Sequence, residues 1–236
     1  MEKKKIALIT GGSRGIGLAL TKKLVNEKYE VWATCRDEGE EIKNCGAQPL
    51  YLDLNQVEEI PGFINKIINQ ITHLDLLIHN AALSATHIDL TQKQKNLEFG
   101  KLEFSGLEKM IRINSIVPVL LTQSLTSVLK NAHNPKVLML SSRKGALSLV
   151  NKGGNYGYKG SKALLNMWSL LLAEDLRSDG ICVCSVNPGH VRTAMGGEDA
   201  PLSTEESADH LYELIEEISM KNSGQLLHTN GQKHPY

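Results

Sequence analysis

Short apolar, β-branched runs recur along this chain, and each leads into a longer stretch whose apolar residues return at helical spacing. The runs cover residues 6–10, 30–35, 49–52, 74–79, 136–140 and 181–186, with 226–227 as a seventh. Helical spacing covers 16–26, 57–71, 107–130, 158–177 and 204–221. Strands that read as continuous apolar runs, alternating with helices, indicate a parallel sheet covered on both faces. The expectation is one doubly wound α/β domain over 1–236, with a mostly parallel seven-stranded sheet. No linker, repeat or low-complexity tract interrupts it. The polar stretch 86–105, with Gln92-Lys93-Gln94-Lys95, reads as a mobile loop or the lead-in to a helix.

Composition narrows the classes of partner. A chain of 236 residues with 41% hydrophobic residues can fill a substantial core. Its 26 basic and 26 acidic residues cancel, and Lys3-Lys4-Lys5 is its one basic run, which argues against nucleic acid as the main partner. Cys35, Cys45, Cys182 and Cys184 show no metal-ligand spacing and no Cys-x-x-Cys, so no metal site is expected. Unpatterned cysteines suit a reducing, cytoplasmic setting better than a disulfide framework. The apolar run at 6–10 ends at Gly11-Gly12, too short for a signal peptide, and no run approaches membrane-spanning length.

The candidate chemistry begins where the first run ends, at Thr10-Gly11-Gly12-Ser13-Arg14-Gly15-Ile16-Gly17. Glycines there let the backbone turn sharply, approach a pyrophosphate closely and present amides at the positive end of a helix. The spacing is Gly-x-x-x-Gly-x-Gly rather than Gly-x-Gly-x-x-Gly. An acid about 20 residues further on would hold the ribose 2′-hydroxyl of NAD. Cys35 stands at the end of the second run and cannot do this. Arg36 follows it, and with Arg14 it suits a 2′-phosphate, which points to NADPH. Asp37 keeps NAD open, should the strand run two residues further. Tyr158 and Lys162 stand four apart on one predicted helix face, with Cβ atoms about 5–6 Å apart. An ammonium at that range would lower the phenol's pKa and make it a usable proton donor.

Taken together these segments resemble the short-chain dehydrogenase/reductase family in its compact single-domain, Rossmann-type form, over essentially the whole chain. Gly11, Ser13, Arg14, Gly15, Ile16 and Gly17 are similar to its cofactor loop, and Asp53-Leu54 to its adenine-contacting pair. His79-Asn80-Ala81-Ala82 corresponds to its Asn-Asn-Ala-Gly segment, so Asn80 and Ala81 would face the cofactor. Asn114 matches its helix asparagine, Ser142 its catalytic serine, and Tyr158 with Lys162 its signature pair. Pro188, Gly189, Val191 and Thr193 fall in the segment that cradles nicotinamide. Shorter stretches, such as Thr34-Cys35-Arg36 and 191–197, resemble C-factor- and sniffer-like carbonyl reductases, which use NADPH.

The resemblance implies reduction of a ketone or aldehyde carbonyl by hydride transfer from NADPH. Ser142 would bond the carbonyl oxygen and Tyr158 would give the proton. Lys162 would lower the Tyr158 pKa and bond the nicotinamide ribose, while Asn114 would hold a water that relays protons to Lys162. It also implies a small-molecule carbonyl or alcohol substrate and a homodimer or homotetramer formed through 107–130 and 158–177. An NAD-dependent alcohol dehydrogenase and a non-catalytic dinucleotide-binding signalling protein are the competing readings. Several residues depart from the pattern or sit beside it. His79 replaces an asparagine and reads as a hydrogen-bonded structural histidine. Ala82 replaces a glycine, and Tyr158 stands sixteen positions after Ser142, a long loop expected to shape the substrate pocket. Tyr156 and Ser141 read as decoys for Tyr158 and Ser142. Arg143 and Lys144 read as solvated loop charges or cofactor-side residues, with attraction of an anionic substrate as the alternative, and Cys182 and Cys184 read as small core residues. Met195 and Leu202 either line the substrate entrance or anchor their loop, and His190 falls near the nicotinamide mouth.

Overall fold

Alternate residues of the first strand, β1 (Ile6–Thr10), face opposite sides of the sheet, and each side meets its own layer of helices. In a computed structural model, which describes residues 3–85, 89–95 and 97–236, Ile6 and Leu8 join one apolar layer while Ala7 and Ile9 join the other. The chain continues through α1 (Gly15–Asn26), β2 (Glu30–Cys35), α2 (Glu40–Asn44), β3 (Gln48–Tyr51), α3 (Ile60–Ile68) and β4 (Leu76–His79). It then forms α4 (Phe104–Ile111), α5 (Val117–Lys130), β5 (Lys136–Leu140), α6 (Tyr156–Asp175), β6 (Cys182–Asn187) and α7 (Thr204–Glu217). Two short strands, β7 (Leu226–His228) and β8 (Lys233–His234), close the chain.

The strand order is β3-β2-β1-β4-β5-β6-β7-β8. Every pairing is parallel except the last, in which β8 folds back antiparallel on β7. The sheet therefore has an eighth strand beyond the seven expected. Two residues carry too little periodicity to register in a sequence. Order reverses between β1 and β4, so the loops leaving these neighbours diverge and open a crevice at the carboxyl end of the sheet.

Helices α1 and α7 lie on one face, where Leu20, Leu24, Leu211 and Leu214 bury against Ile9, Val31 and Leu138. The other face packs Ile64, Ile67, Leu121, Leu125 and Leu165 against Leu8, Leu77 and Val137. Ser203 starts α7 with a reciprocal cap: its hydroxyl accepts from the Glu206 amide at 3.0 Å, and the Glu206 carboxylate accepts from the Ser203 amide at 2.7 Å.

The expected helix over 107–130 is broken. Pro118 has no N–H for the carbonyl of Asn114 four residues earlier, and its ring crowds that carbonyl. The chain widens into a π turn over Arg112–Ile116 before α5 resumes. The helical spacing read over 57–71 resolves into a 3-10 turn, Val57–Glu59, and α3, whose first turn contains Pro61. Of the stretch expected to be a mobile loop, 86–88 and 96 lie outside the described residues, and 97–103 is turn and bend before α4.

Candidate active site

A cleft of about 720 Å³ runs along the carboxyl end of the sheet across the point where strand order reverses. Its first wall is the turn between β1 and α1, contributing Gly11, Ser13, Arg14, Gly15 and Ile16. Gly11 and Gly15 take φ of +69° and +56°, which side chains rarely tolerate. A Cβ on Gly17 would lie 2.1 Å from the Gly11 carbonyl oxygen, so only glycine lets α1 start this close to the loop. Gly17 itself serves packing and does not line the cleft. Arg14 caps α1 in extended backbone, and its side chain makes no cap hydrogen bond to the helix end.

Asn80 holds this turn in shape. Its amide nitrogen donates to the carbonyls of Thr10 at 3.0 Å and Gly11 at 2.8 Å, while the Thr10 hydroxyl accepts from the Asn80 and Ala81 amides. Asp53, Leu54, Asn80 and Ala81 all line the cleft, as expected. The Asp53 carboxylate also closes a turn by accepting from the backbone and side chain of Asn55, both at 3.0 Å. At the adenosine end stand Arg36 and Arg14, with Cys35 and Thr34 beneath them. Asp37, the residue of the NAD alternative, accepts from the Gly39 amide at 3.0 Å and is not among the lining residues. Arg36 is not waiting unpaired, since its guanidinium forms an ion pair with Asp89.

The other end gathers the expected catalytic side chains. Tyr158 and Lys162 come from the first turns of α6 and line the cleft; Ser142 follows β5 and lies just behind the lining. Burial pushes the Tyr158 phenol above its ordinary pKa, and its hydrogen bond with the Ser142 hydroxyl offsets only part of that rise. Lys162 is 3% exposed; its ammonium donates to the Leu140 carbonyl at 2.6 Å and lies 5.9 Å from the Tyr158 ring centroid. Burial pushes its pKa down to about 7. The phenol is thus raised rather than lowered in the free protein, because loss of solvent disfavours the charged forms of both Tyr158 and Lys162. Packing demands the same closeness elsewhere, because a Cβ on Gly145 would lie 2.5 Å from the Lys162 backbone.

Asn114 does not line the cleft. Its side-chain oxygen accepts from the Leu83 amide at 2.7 Å, and its nitrogen donates to the Leu83 carbonyl and the Ser161 hydroxyl, both at 2.9 Å. It ties the π turn to the loop after β4 and to the α6 turn that carries Tyr158 and Lys162. Both amide hydrogens are spent, so the side chain acts as a tether between these segments.

Ser141 lines the cleft where Ser142 does not, but its hydroxyl donates to the Asn166 side-chain oxygen at 2.5 Å, and Tyr156 is exposed and outside the lining. His79 is fully enclosed; the Thr122 hydroxyl gives its proton to the Pro118 carbonyl, so it accepts from His79 Nε2–H at 2.9 Å. Burial drives the His79 pKa down to about 3, leaving a neutral structural histidine. Cys182 and Cys184 are buried small residues of β6, and all four cysteines are free.

Beyond β6, Pro188 and Thr193 line the cleft, whereas Gly189 and Val191 do not. A Cβ on Gly189 would meet Leu202 at 2.7 Å, and Val191 bridges Leu202, so these residues anchor the loop that Thr193, Ala194 and Met195 present to the cleft. Leu202 is thus an anchor and Met195 a lining residue. His190 donates its Nε2–H to the Gly196 carbonyl of the same loop at 2.8 Å and does not line the cleft. Arg143 and Lys144 are exposed in the first of two 3-10 turns, Arg143–Gly145 and Leu147–Leu149, which begin the long loop outside the lining. Sequence reasoning missed Asn55, Ser84, Asp89, Ile113 and Thr204 among the lining residues. None of them carries a local signal, since tertiary structure brings each to the cleft and sets Asp89 beside Arg36.

A dinucleotide fits this cleft: a glycine cradle that any Cβ would fill, a helix start free of a side-chain cap, and two arginines opposite a buried tyrosine–lysine pair. Fold and cradle together define a dinucleotide-binding domain of the Rossmann type. The chain belongs to the short chain dehydrogenase family, which it matches over residues 5–202. It is 29% identical to the C-signal protein of Myxococcus xanthus over 163 residues, 69% of this chain and 93% of that one. Its fold is similar to the carbonyl reductase Sniffer of D. melanogaster, with a TM-score of 0.85, 25% identity and coverage of 99% and 100% of the two chains. It is likewise similar to an NADPH-bound carbonyl reductase from chicken fatty liver, with a TM-score of 0.84, 26% identity and the same coverage. Among the described residues no helix is long and apolar enough to cross a membrane, and no group of three or more metal-ligating side chains forms.

Proposed function

We propose that this protein is an NADPH-dependent reductase of ketones or aldehydes, with Tyr158 as the proton donor. The observation that carries the reading is the convergence of the Ser142 hydroxyl, the Tyr158 phenol and the buried Lys162 ammonium at one end of a dinucleotide-shaped cleft. When bound, the reduced nicotinamide supplies the hydride. Thr193 and Pro188 hold its end of the cleft, and the glycine turn takes the pyrophosphate on backbone amides. Arg14 and Arg36 receive the 2′-phosphate, supported by the absence of Asp37 from the lining.

Ser142 hydrogen-bonds the substrate carbonyl oxygen and steadies the charge that develops there. Tyr158, its pKa raised by burial, carries its proton at neutral pH and delivers it to that oxygen. The protonation state of the free protein therefore suits reduction. Lys162, with a pKa of about 7, exchanges a proton readily at working pH and returns one to the tyrosine. Asn114 holds a water that relays protons to Lys162 from solvent, while its side chain, bonded to the Ser161 hydroxyl, keeps α6 in place.

Steady-state reduction of a panel of ketones and aldehydes, followed by loss of the reduced nicotinamide, tests this. Tyr158→Phe lowers turnover by roughly 10²- to 10⁴-fold and leaves the calorimetric Kd for NADPH within about twofold of wild type. A mutant with near-normal turnover refutes Tyr158 as the donor.

A further inference from the structure

Arg36 has a partner that a 2′-phosphate would have to displace. It stands just past β2, whereas Asp89 comes from the loop after β4, 53 residues further along, and the two side chains meet in an ion pair over the adenosine end of the cleft. Both residues line the cleft, together with Arg14. From the far side, the Lys109 ammonium of α4 donates to the Asp89 carbonyl at 3.0 Å and holds the Asp89 backbone toward the opening. The Asp89 side chain is 24% exposed and that of Arg36 41%, so the pair is partly shielded but open enough to exchange partners.

Resting on the NADPH reading, we propose that Asp89 sets the strength of 2′-phosphate binding by competing for the Arg36 guanidinium. A carboxylate and a phosphate both take the planar donor fork of arginine, and they repel each other across it. NADPH thus exchanges one ion pair for another at Arg36. NADH, with a neutral 2′-hydroxyl, has nothing to exchange. Asp89 therefore restrains the preference that two arginines would otherwise give. Asp53, the other acid of the lining, is engaged with Asn55 and does not share this pair.

Calorimetric titration of NADPH and NADH into wild type, Asp89→Asn, Asp89→Ala and Arg36→Ala tests the proposal. Loss of an exposed ion-pair competitor tightens NADPH by roughly two- to fivefold in both Asp89 variants, with the NADH Kd unchanged. The gain shrinks as salt screens the carboxylate. NADPH affinity that stays the same or weakens in both variants overturns the role of Asp89. If Arg36→Ala meanwhile removes the NADPH preference, the coenzyme reading stands and only the competition fails. If wild type shows no preference for Arg36→Ala to remove, the coenzyme reading falls as well.

Discussion

The two ends of the cleft are built from different materials. At the dinucleotide end the backbone does the shaping: Gly11, Gly15 and Gly17 admit conformations and contacts that no other residue allows, and Asn80 clamps their carbonyls. At the carbonyl end side chains do the shaping, and burial governs their charge, with Lys162 brought to about 7 and Tyr158 raised. One end demands space; the other withholds water. Substitutions should therefore fail in different ways at the two ends.

The largest divergence is expected at Lys162. Its folded pKa of about 7 lies below the ordinary 10.5, so the unfolded chain binds the extra proton between those values. The cost of burying the charge is complete below pH 7 and fades as pH rises toward 10.5. Lys162→Met should cut turnover by about 10²-fold or more yet raise stability near pH 6 by roughly 1–4 kcal/mol. Urea unfolding across pH should show the gain shrinking on the alkaline side. A mutant less stable than wild type at pH 6 would erase the contrast between the two ends.

Gly17→Ala should do the opposite. Its Cβ would collide with the Gly11 oxygen and the Asn80 amide, 2.1 and 2.4 Å away. Overpacking of this kind costs about 1–3 kcal/mol, and dinucleotide affinity should fall by roughly tenfold or more. Gly62→Ala is the control, since nothing lies within 4 Å of a Cβ there and the helix gains propensity. Equal melting temperatures for the two variants would show that the cradle is not space-limited.

The smallest effect is expected at Ser148, in the long loop between Ser142 and Tyr158. Its hydroxyl donates to the Tyr236 carbonyl at 3.0 Å, and the Tyr236 hydroxyl donates to the Gly224 carbonyl at 2.7 Å. Ser148→Ala should alter the substrate KM by about twofold, with the cost of one exposed hydrogen bond, about 0.5–1 kcal/mol at most. An unchanged Kd for NADPH would confine the loop's influence to the carbonyl end.

Legibility in the sequence follows the same division. β1, β2 and β5 lie at the residues their apolar runs mark, because a fully buried parallel strand writes itself as a continuous run. The glycine turn and the Tyr158–Lys162 pair were readable from spacing, since backbone geometry and helix periodicity are local, whereas Ser142 was reached through the family resemblance. The π turn had a local signal in Pro118, inside a stretch otherwise helical, but its offset depends on what Asn114 finds to bond. The Arg36–Asp89 pair and the depressed pKa of Lys162 had none. Both arise where segments distant in sequence meet, and desolvation is a property of the assembled site.

The final antiparallel strand has a consequence for the molecule's life among copies of itself. A sheet that stopped at β7 would present the row of open amides and carbonyls beside Leu226 and Leu227, an invitation to pair with another chain. β8 covers that row, then ends after two residues with Lys233 in it and Pro235 next. At the opposite margin β3 is four residues long and carries Pro49. Short length, a charge and proline make both margins poor templates, so the sheet resists growing into an aggregate.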